Sequence, residues 1–330
     1  MSEYIIQVDN LVKKYGQLVA VDHISFNVSP GEIFGFLGPN GAGKTTTINI
    51  LCTLARPTSG KAILNGFDVV HQQNQVRHSI GLVFQDSSLD DRLTALYNMR
   101  FHAMVYNVPA SVREERIEQV LKMVDLWDRR KKVVRTFSGG MKRRLELARG
   151  LLHYPKVLFL DEPTLGLDPQ TRNHIWEYVL QLQKREGTTV FLTTHYMDEA
   201  EKATRIAIID HGKLVAIDTP ANLKRMVGKD IVTLRTDDNA RAADEIRSRY
   251  RTEVRPEGDQ LTFTVANGEE FLPPFIKDFS IKIASISLRH PTLEDVFLKL
   301  TGREIRDHGI GDSFIAQFRP RGGRMPGPPH

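Results

Sequence analysis

The stretch Gly38-Pro39-Asn40-Gly41-Ala42-Gly43-Lys44-Thr45 constrains this chain more than any other part of it. It fits the phosphate-binding pattern G-x-x-x-x-G-K-[ST] at every fixed position. The apolar run Glu32 to Leu37 precedes it and a helical pattern follows. A strand, a glycine-rich turn and a helix in that order aim backbone N–H groups and the positive end of the helix at one point. Lys44 supplies a charge for the β- and γ-phosphates of a nucleotide. Thr45 supplies a hydroxyl for Mg²⁺.

A loop of this kind needs a sheet to carry it. Three more short apolar runs, Ile80 to Phe84, Val157 to Leu160 and Thr189 to Leu192, read as buried strands. Alternating with helical patterns over residues 1–225, they predict an α/β unit with a largely parallel sheet. Ligands of such sheets bind beyond the carboxyl ends of the strands. Gln85 follows the second run, Asp161 and Glu162 the third, and His195 the fourth. Asp161 can hold Mg²⁺ and Glu162 can polarise an attacking water. Taken singly, the acid pair is equally well a solvated strand end before Pro163, and a lone Gln or His is usually structural. The shared edge makes them one candidate site.

A helix-rich insertion is expected at about 93–152. Val112 to Trp127 has helical apolar spacing, with Pro109 as a stop and Ser111 as a cap before it. Phe137-Ser138-Gly139-Gly140-Met141 opens a second helical stretch, Lys142 to Leu152. Ser138 and the glycines present a hydroxyl and free N–H groups, an anion site with no lysine of its own. By itself this is an ordinary capped helix. Residues 129–132 are a basic run that suits a solvated turn. The pattern restarts near Gly228 as strand, helix, strand, helix, strand and a closing helix from Leu293 to Thr301, which predicts a small ferredoxin-like α/β unit over 226–305. Residues 306–330 end in a Pro-, Gly- and Arg-rich segment expected to be a flexible tail.

Composition adds bounds. With 41% hydrophobic and 26% charged residues the chain reads as a globular protein. A net charge of +5 fits a soluble surface better than a dedicated anionic partner. The single cysteine, Cys52, lies in an apolar run and reads as a small core residue in a reducing compartment. Met1-Ser2-Glu3-Tyr4 does not begin like a signal peptide. No stretch approaches the ~18 apolar residues of a membrane span, so any membrane step is expected from another polypeptide.

From about Ile5 to Leu223 these motifs, in this order, resemble the ATP-binding cassette (ABC) ATPases. The matching residues are Tyr15, the phosphate loop, Gln85, Ser138-Gly139-Gly140, Asp161-Glu162, Leu165-Gly166-Leu167-Asp168 and His195. The resemblance implies an α/β phosphate-loop NTPase cassette with a mixed or parallel sheet core, a helical subdomain and a small C-terminal α/β domain. It implies that Tyr15 stacks on adenine and that Gly38, Pro39, Asn40, Gly41, Ala42, Gly43, Lys44, Thr45 and Thr46 cradle the ATP phosphates. Thr45, Gln85 and Asp161 would hold Mg²⁺, Glu162 would be the catalytic base, and His195 would contact the γ-phosphate. Ser138 to Gly140 would close over ATP held by a second, identical subunit packed head to tail, with Asp168 at that interface. The motif departs from its usual form in Phe137 and Met141, where the family commonly has Leu and Gln.

Two further segments, His195 to Glu201 and Pro291 to Gly302, are similar to the daunorubicin-resistance group of drug exporters. The expected function is therefore ATP hydrolysis driving efflux of a drug-like or lipid-like cargo through a separate transmembrane permease. The chain would sit peripherally on the cytoplasmic face of the membrane, and no nucleic acid is expected. The alternatives are a soluble cassette ATPase acting on DNA or ribosomes and a non-hydrolysing regulator. One cassette without sustained heptads disfavours the former. Lys44, Glu162 and His195 disfavour the latter.

Overall fold

The computed structural model describes residues 3–302; the expected tail at 306–330 lies outside the described residues. The chain begins with two long antiparallel strands, β1 (Ile6–Tyr15) and β2 (Leu18–Val28). Burial of Ile24, Phe26 and Val28 follows the two-residue period of a strand with one buried face. Every residue of β3 (Ile33–Leu37) is buried, as in a parallel strand covered on both sides. The phosphate-loop sequence turns from β3 into α1 (Lys44–Leu51). β4 (Ser59–Leu64) and β5 (Phe67–Asp68) then join the first two strands in a four-stranded antiparallel sheet, order β2-β1-β4-β5. This second sheet is not foreseen from the sequence. Its strands mix Lys, Asp and Asn with the apolar residues, and β1 is broken by Asn10 at φ 49°, so no clean alternation survives.

α2 (Gln73–Ser79) leads into β6 (Ile80–Val83). The helical insertion follows as α3 (Ala95–Val105), α4 (Ala110–Met123) and α5 (Gly139–Gly150). α4 starts at Ala110, so Ser111 lies inside its first turn and is not the cap. It ends before Trp127 because Asp125 takes a left-handed φ of 55°. After the insertion come β7 (Val157–Asp161), α6 (Pro169–Glu186), β8 (Thr189–Thr194), α7 (Met197–Ala200), β9 (Arg205–Asp210) and β10 (Lys213–Asp218). The six-stranded sheet has the order β10-β9-β3-β8-β7-β6. All its pairings are parallel except β10 with β9. The four runs singled out in the sequence are its contiguous members β3, β8, β7 and β6. Phe191 of β8 sits 5.5 Å from Phe34, 5.5 Å from Phe36 and 5.4 Å from Phe159, ring centre to ring centre. Phe26 of β2 stacks on Phe34 at 5.5 Å and so ties the two sheets together.

The C-terminal part runs α8 (Pro220–Val227), β11 (Asp230–Thr236), α9 (Asn239–Tyr250), β12 (Val254–Glu257), β13 (Gln260–Val265), α10 (Gly268–Asp278), β14 (Ile283–Arg289) and α11 (Leu293–Thr301). Its sheet is antiparallel in the order β12-β13-β11-β14, the βαββαβ ferredoxin-like arrangement. β12 escapes sequence reading because Val254 is its one buried residue and Pro256 interrupts it; such a strand is tolerated at a sheet edge, where it lies. α11 does not close this sandwich. Leu293, Val296 and Phe297 are buried with Leu223 of α8 in the core that also holds α4, α5 and α6. Lys299 Nζ donates to the carbonyls of Met226 and Val227 at 3.0 and 2.9 Å, which ties the end of α8 to α11.

Candidate active site

The parallel pairing of β3, β8, β7 and β6 puts their carboxyl ends on one edge, and the polar sets gather there. α1 starts at Lys44 behind Gly43, whose φ of 107° is open to glycine and strained for other residues. A Cβ on Gly43 would lie 2.4 Å from the carbonyl of Ala20, and one on Gly38 would lie 2.3 Å from that of Ile209, so the loop is pressed against its floor. Gly41, at φ 80°, has open space above it, where an approaching phosphate would come. No side chain caps the N-terminus of α1, whereas Thr94, Ser138 and Asp168 cap α3, α5 and α6. The first N–H groups of α1 are thereby left for an anion.

Lys44 is buried under this loop. Its Nζ donates to the carbonyls of Gly38 and Pro39 at 2.8 and 3.1 Å and lies 3.2 Å from Glu162 Oε1. The same Oε1 is 3.3 Å from His195 Nδ1. Burial pushes the Glu162 carboxyl up, but the adjacent His195 imidazole and the Lys44 ammonium outweigh it, holding the group below the usual glutamate range. Burial lowers the Lys44 ammonium, partly offset by Glu162 and Asp161. Asp161 Oδ1 accepts from Thr193 Oγ1 at 2.5 Å and from Thr45 Oγ1 at 3.4 Å. Burial raises its carboxyl against those two hydroxyls. Glu162 itself has φ 45°, left-handed for a residue with a Cβ, and its N–H donates to Thr193 O and Oγ1 at 3.2 and 3.1 Å.

The other expected residues lie apart from this cluster. Gln85 is exposed in the loop after β6, and Thr46 is half-buried in α1. Tyr15 is exposed at the β1–β2 turn, with Lys13 Nζ 4.8 Å over its ring. Ser138 caps α5, accepting from Met141 N at 3.3 Å. Asp168 caps α6, accepting from Thr171 N and Oγ1 at 2.9 and 2.7 Å. A Cβ on Gly140 would lie 2.5 Å from Thr171 Cγ2, so the Ser138 loop and the Asp168 turn are neighbours. Ser138, Gly140 and Thr171 are among the residues that line a cavity of about 190 Å³, in which neither Asp168 nor a phosphate-loop residue takes part. One chain therefore presents two separate edges, and of the helices that start there α1 leaves its first N–H groups without a side-chain cap while Ser138 and Asp168 cap α5 and α6.

Residues 21–165 match the family model described as ABC transporter, and residues 219–301 match that of the ATP-binding protein DrrA1-3-like C-terminal domain. The daunorubicin resistance ATP-binding protein DrrA2 of Streptomyces coeruleorubidus is 39% identical over 92% of this chain and 96% of its own length. The chain belongs to the ABC transporter family. The linearmycin resistance ATP-binding protein LnrL of Bacillus subtilis is 37% identical over 92% of this chain and 100% of its own length. Among solved structures, the ATP-binding cassette MJ0796, a dimer bound to ADP and Pi, is 28% identical with a TM-score of 0.60, covering 65% of this chain and 98% of that one. The cassette described here is thus an ABC ATPase domain carrying a DrrA-like C-terminal domain.

The ABC reading of the motifs passed over a set of buried polar residues that brace them. Thr193 links Asp161 to the Glu162 backbone. Glu199 accepts from the hydroxyls of Thr164 and Thr194, joining the turn before Asp168 to the end of β8. Arg143, Glu146 and Arg149 are all buried on α5. Charges at i, i+3 and i+6 on a helix that is also apolar at Leu145, Leu147 and Ala148 were the available signal, since lone buried charges are costly and imply partners.

Proposed function

We propose that this cassette hydrolyses ATP with Glu162 as the base, in a head-to-tail pair of identical subunits that drives export through a separate membrane permease. The observation that carries the reading is the Lys44–Glu162–His195 cluster, in which one carboxylate oxygen lies 3.2 Å from the ammonium and 3.3 Å from the imidazole. Before nucleotide arrives, Lys44 is held by the loop carbonyls and by Glu162. A triphosphate competes for the ammonium, and its departure frees Glu162 to accept a proton from water. His195 would keep that carboxylate aimed and contact the γ-phosphate. Thr45 and Asp161 offer oxygen donors that suit a hard cation, and with Gln85 they would hold Mg²⁺. When bound, Mg²⁺ supplies charge neutralisation across the β- and γ-phosphates.

The second edge, Ser138 to Gly140 beside Asp168, would close on the nucleotide of the partner copy, and Tyr15 would carry the adenine. This arrangement would give each of the two edges of one chain a nucleotide to face. The working division is a nucleotide-binding part, 1–225, with its helical insertion at 93–152, and an accessory part from 226 onward. The membrane partner would dock on an apolar groove of about 660 Å³ beside α3, which is lined by Phe84 and Ser88 around the Gln85 loop. Among the described residues no helix is long and apolar enough to cross a membrane, so the spanning segments would belong to that partner. The resistance relatives support a drug-like cargo; a lipid-like cargo and a place on the cytoplasmic face of the membrane belong to the same proposal.

Glu162→Gln tests the chemistry. ATP binding should persist, turnover should fall by about 10²–10⁴, and ATP should accumulate dimers visible by size-exclusion chromatography. Wild-type turnover in that variant would refute the assignment of the base.

A further inference from the structure

We infer that Arg143 is a positioning residue for hydrolysis, a five-pronged clamp through which the Ser138 helix holds both the Gln85 loop and the Glu162 turn in place. The inference rests on the reading of Glu162 as the base and adds a residue that the motifs do not contain.

Guanidinium has five N–H donors in a planar fork. Arg143 is 7% exposed, and every donor has an acceptor. Nε donates to Pro163 O at 2.6 Å. One terminal nitrogen donates to Phe84 O and to Glu146 Oε2, the latter at 3.2 Å. The other donates to Asp161 O at 3.1 Å and Glu162 O at 3.2 Å. Three of the four carbonyls are consecutive and enclose Glu162. The fourth belongs to the residue before Gln85.

The placement has a physical reason. Glu162 sits in the left-handed region, which a residue with a Cβ keeps only when its surroundings over-determine it. Thr193 holds its N–H side. Arg143 holds the carbonyl side, together with those of the residues before and after it. The same helix face extends the grip: Glu146 Oε1 accepts from Ser88 N at 2.9 Å, and Arg149 donates to Ser88 O and Oγ at 2.9 and 2.5 Å. Ser138 caps this helix about 7.5 Å from Arg143 along the axis, at 1.5 Å rise per residue. A displacement of α5, whether from the Ser138 end or from the groove beside Ser88, is therefore passed to the Glu162 backbone without crossing solvent.

Lysine at this position keeps the charge and offers three donors, so it cannot span five acceptors. In Arg143→Lys, kcat for ATP should fall about tenfold, as expected when hydrogen bonds to a charged group are lost. KM for ATP should move less than about threefold, because the five acceptors of Arg143 include no residue of the phosphate loop that cradles the nucleotide. Amide hydrogen exchange should rise together at 84–88 and 161–164 while the phosphate loop, 38–45, is unchanged. Two results would overturn the clamp: kcat within about twofold of wild type, or exchange that rises throughout the chain together with loss of ATP affinity, the mark of general destabilisation. If Arg143→Lys does not fold, Glu146→Gln decides. It removes the charge beside Arg143 and weakens the Ser88 contact, and it should give the same paired exchange with a smaller loss of kcat; no change in either overturns the clamp. The exchange readout does not depend on the identity of the base. Slow Arg143→Lys with paired exchange, beside a Glu162→Gln that turns over normally, would remove the base and leave the clamp.

Discussion

Lys44, Glu162 and His195 show how far a side chain's chemistry depends on its neighbours. Each is nearly buried, and each is tolerable there because the other two stand within 3.3 Å of a shared oxygen. His102 on α3 is a contrasting case. Burial first, then the Arg149 charge and His153, pulls its pKa from 6.5 down to about 4. The unfolded chain takes this proton near 6.5 and the folded chain only near 4, so between those values the unfolded state binds more protons. The stabilising contribution is complete above pH 6.5 and is lost as pH falls from 6.5 to about 4. Urea unfolding at stepped pH should show this decline, and His102→Leu should flatten it. An equally steep decline in the variant would assign the effect to other groups.

At the scale of elements, the C-terminal helix is the least expected feature. As the last of a strand–helix series, Leu293 to Thr301 reads as part of the small unit. It instead packs on α8 and buries Phe297 to 1% exposure in the cassette core. A Thr292–Asp295 capping box fixes its start and Gly302, at φ 73°, its end. Both are local signals readable in the sequence, but the partner of the helix is not, because its apolar stripe fits either core equally. Phe297→Ala should therefore lower the stability of the cassette itself by about 3–5 kcal/mol. Calorimetry should register it as a lower unfolding temperature for nucleotide-stabilised protein. A loss confined to the C-terminal unit would contradict the packing.

For the whole molecule, one group of exposed apolar side chains sits together on a single helix. Tyr97, Phe101, Met104 and Val105 on α3 are each more than half exposed and adjoin the groove by the Gln85 loop. Such a patch suits the docking of the proposed permease. Phe101→Asp should leave stability and nucleotide binding within about 0.5 kcal/mol, as for a surface change. Recovery of the chain with membranes that contain its permease should fall sharply. Undiminished recovery would move the docking site elsewhere.

The phosphate loop, the strand ends carrying Gln85, Asp161, Glu162 and His195, and the Ser138 cap are all local patterns. Each is a short run whose residues act on their own backbone or on a neighbouring turn, so sequence alone is enough to read them and, through their order, the family. What only the tertiary structure decided is which distant groups share an atom. Lys44 meets Glu162 across 118 positions because β3 and β7 flank β8. Arg143 finds carbonyls from two loops because α5 lies under both. α11 chooses one of two cores. Such contacts arise from sheet order and helix packing; the charge spacing on α5 signals that partners exist, and the packing alone decides which they are.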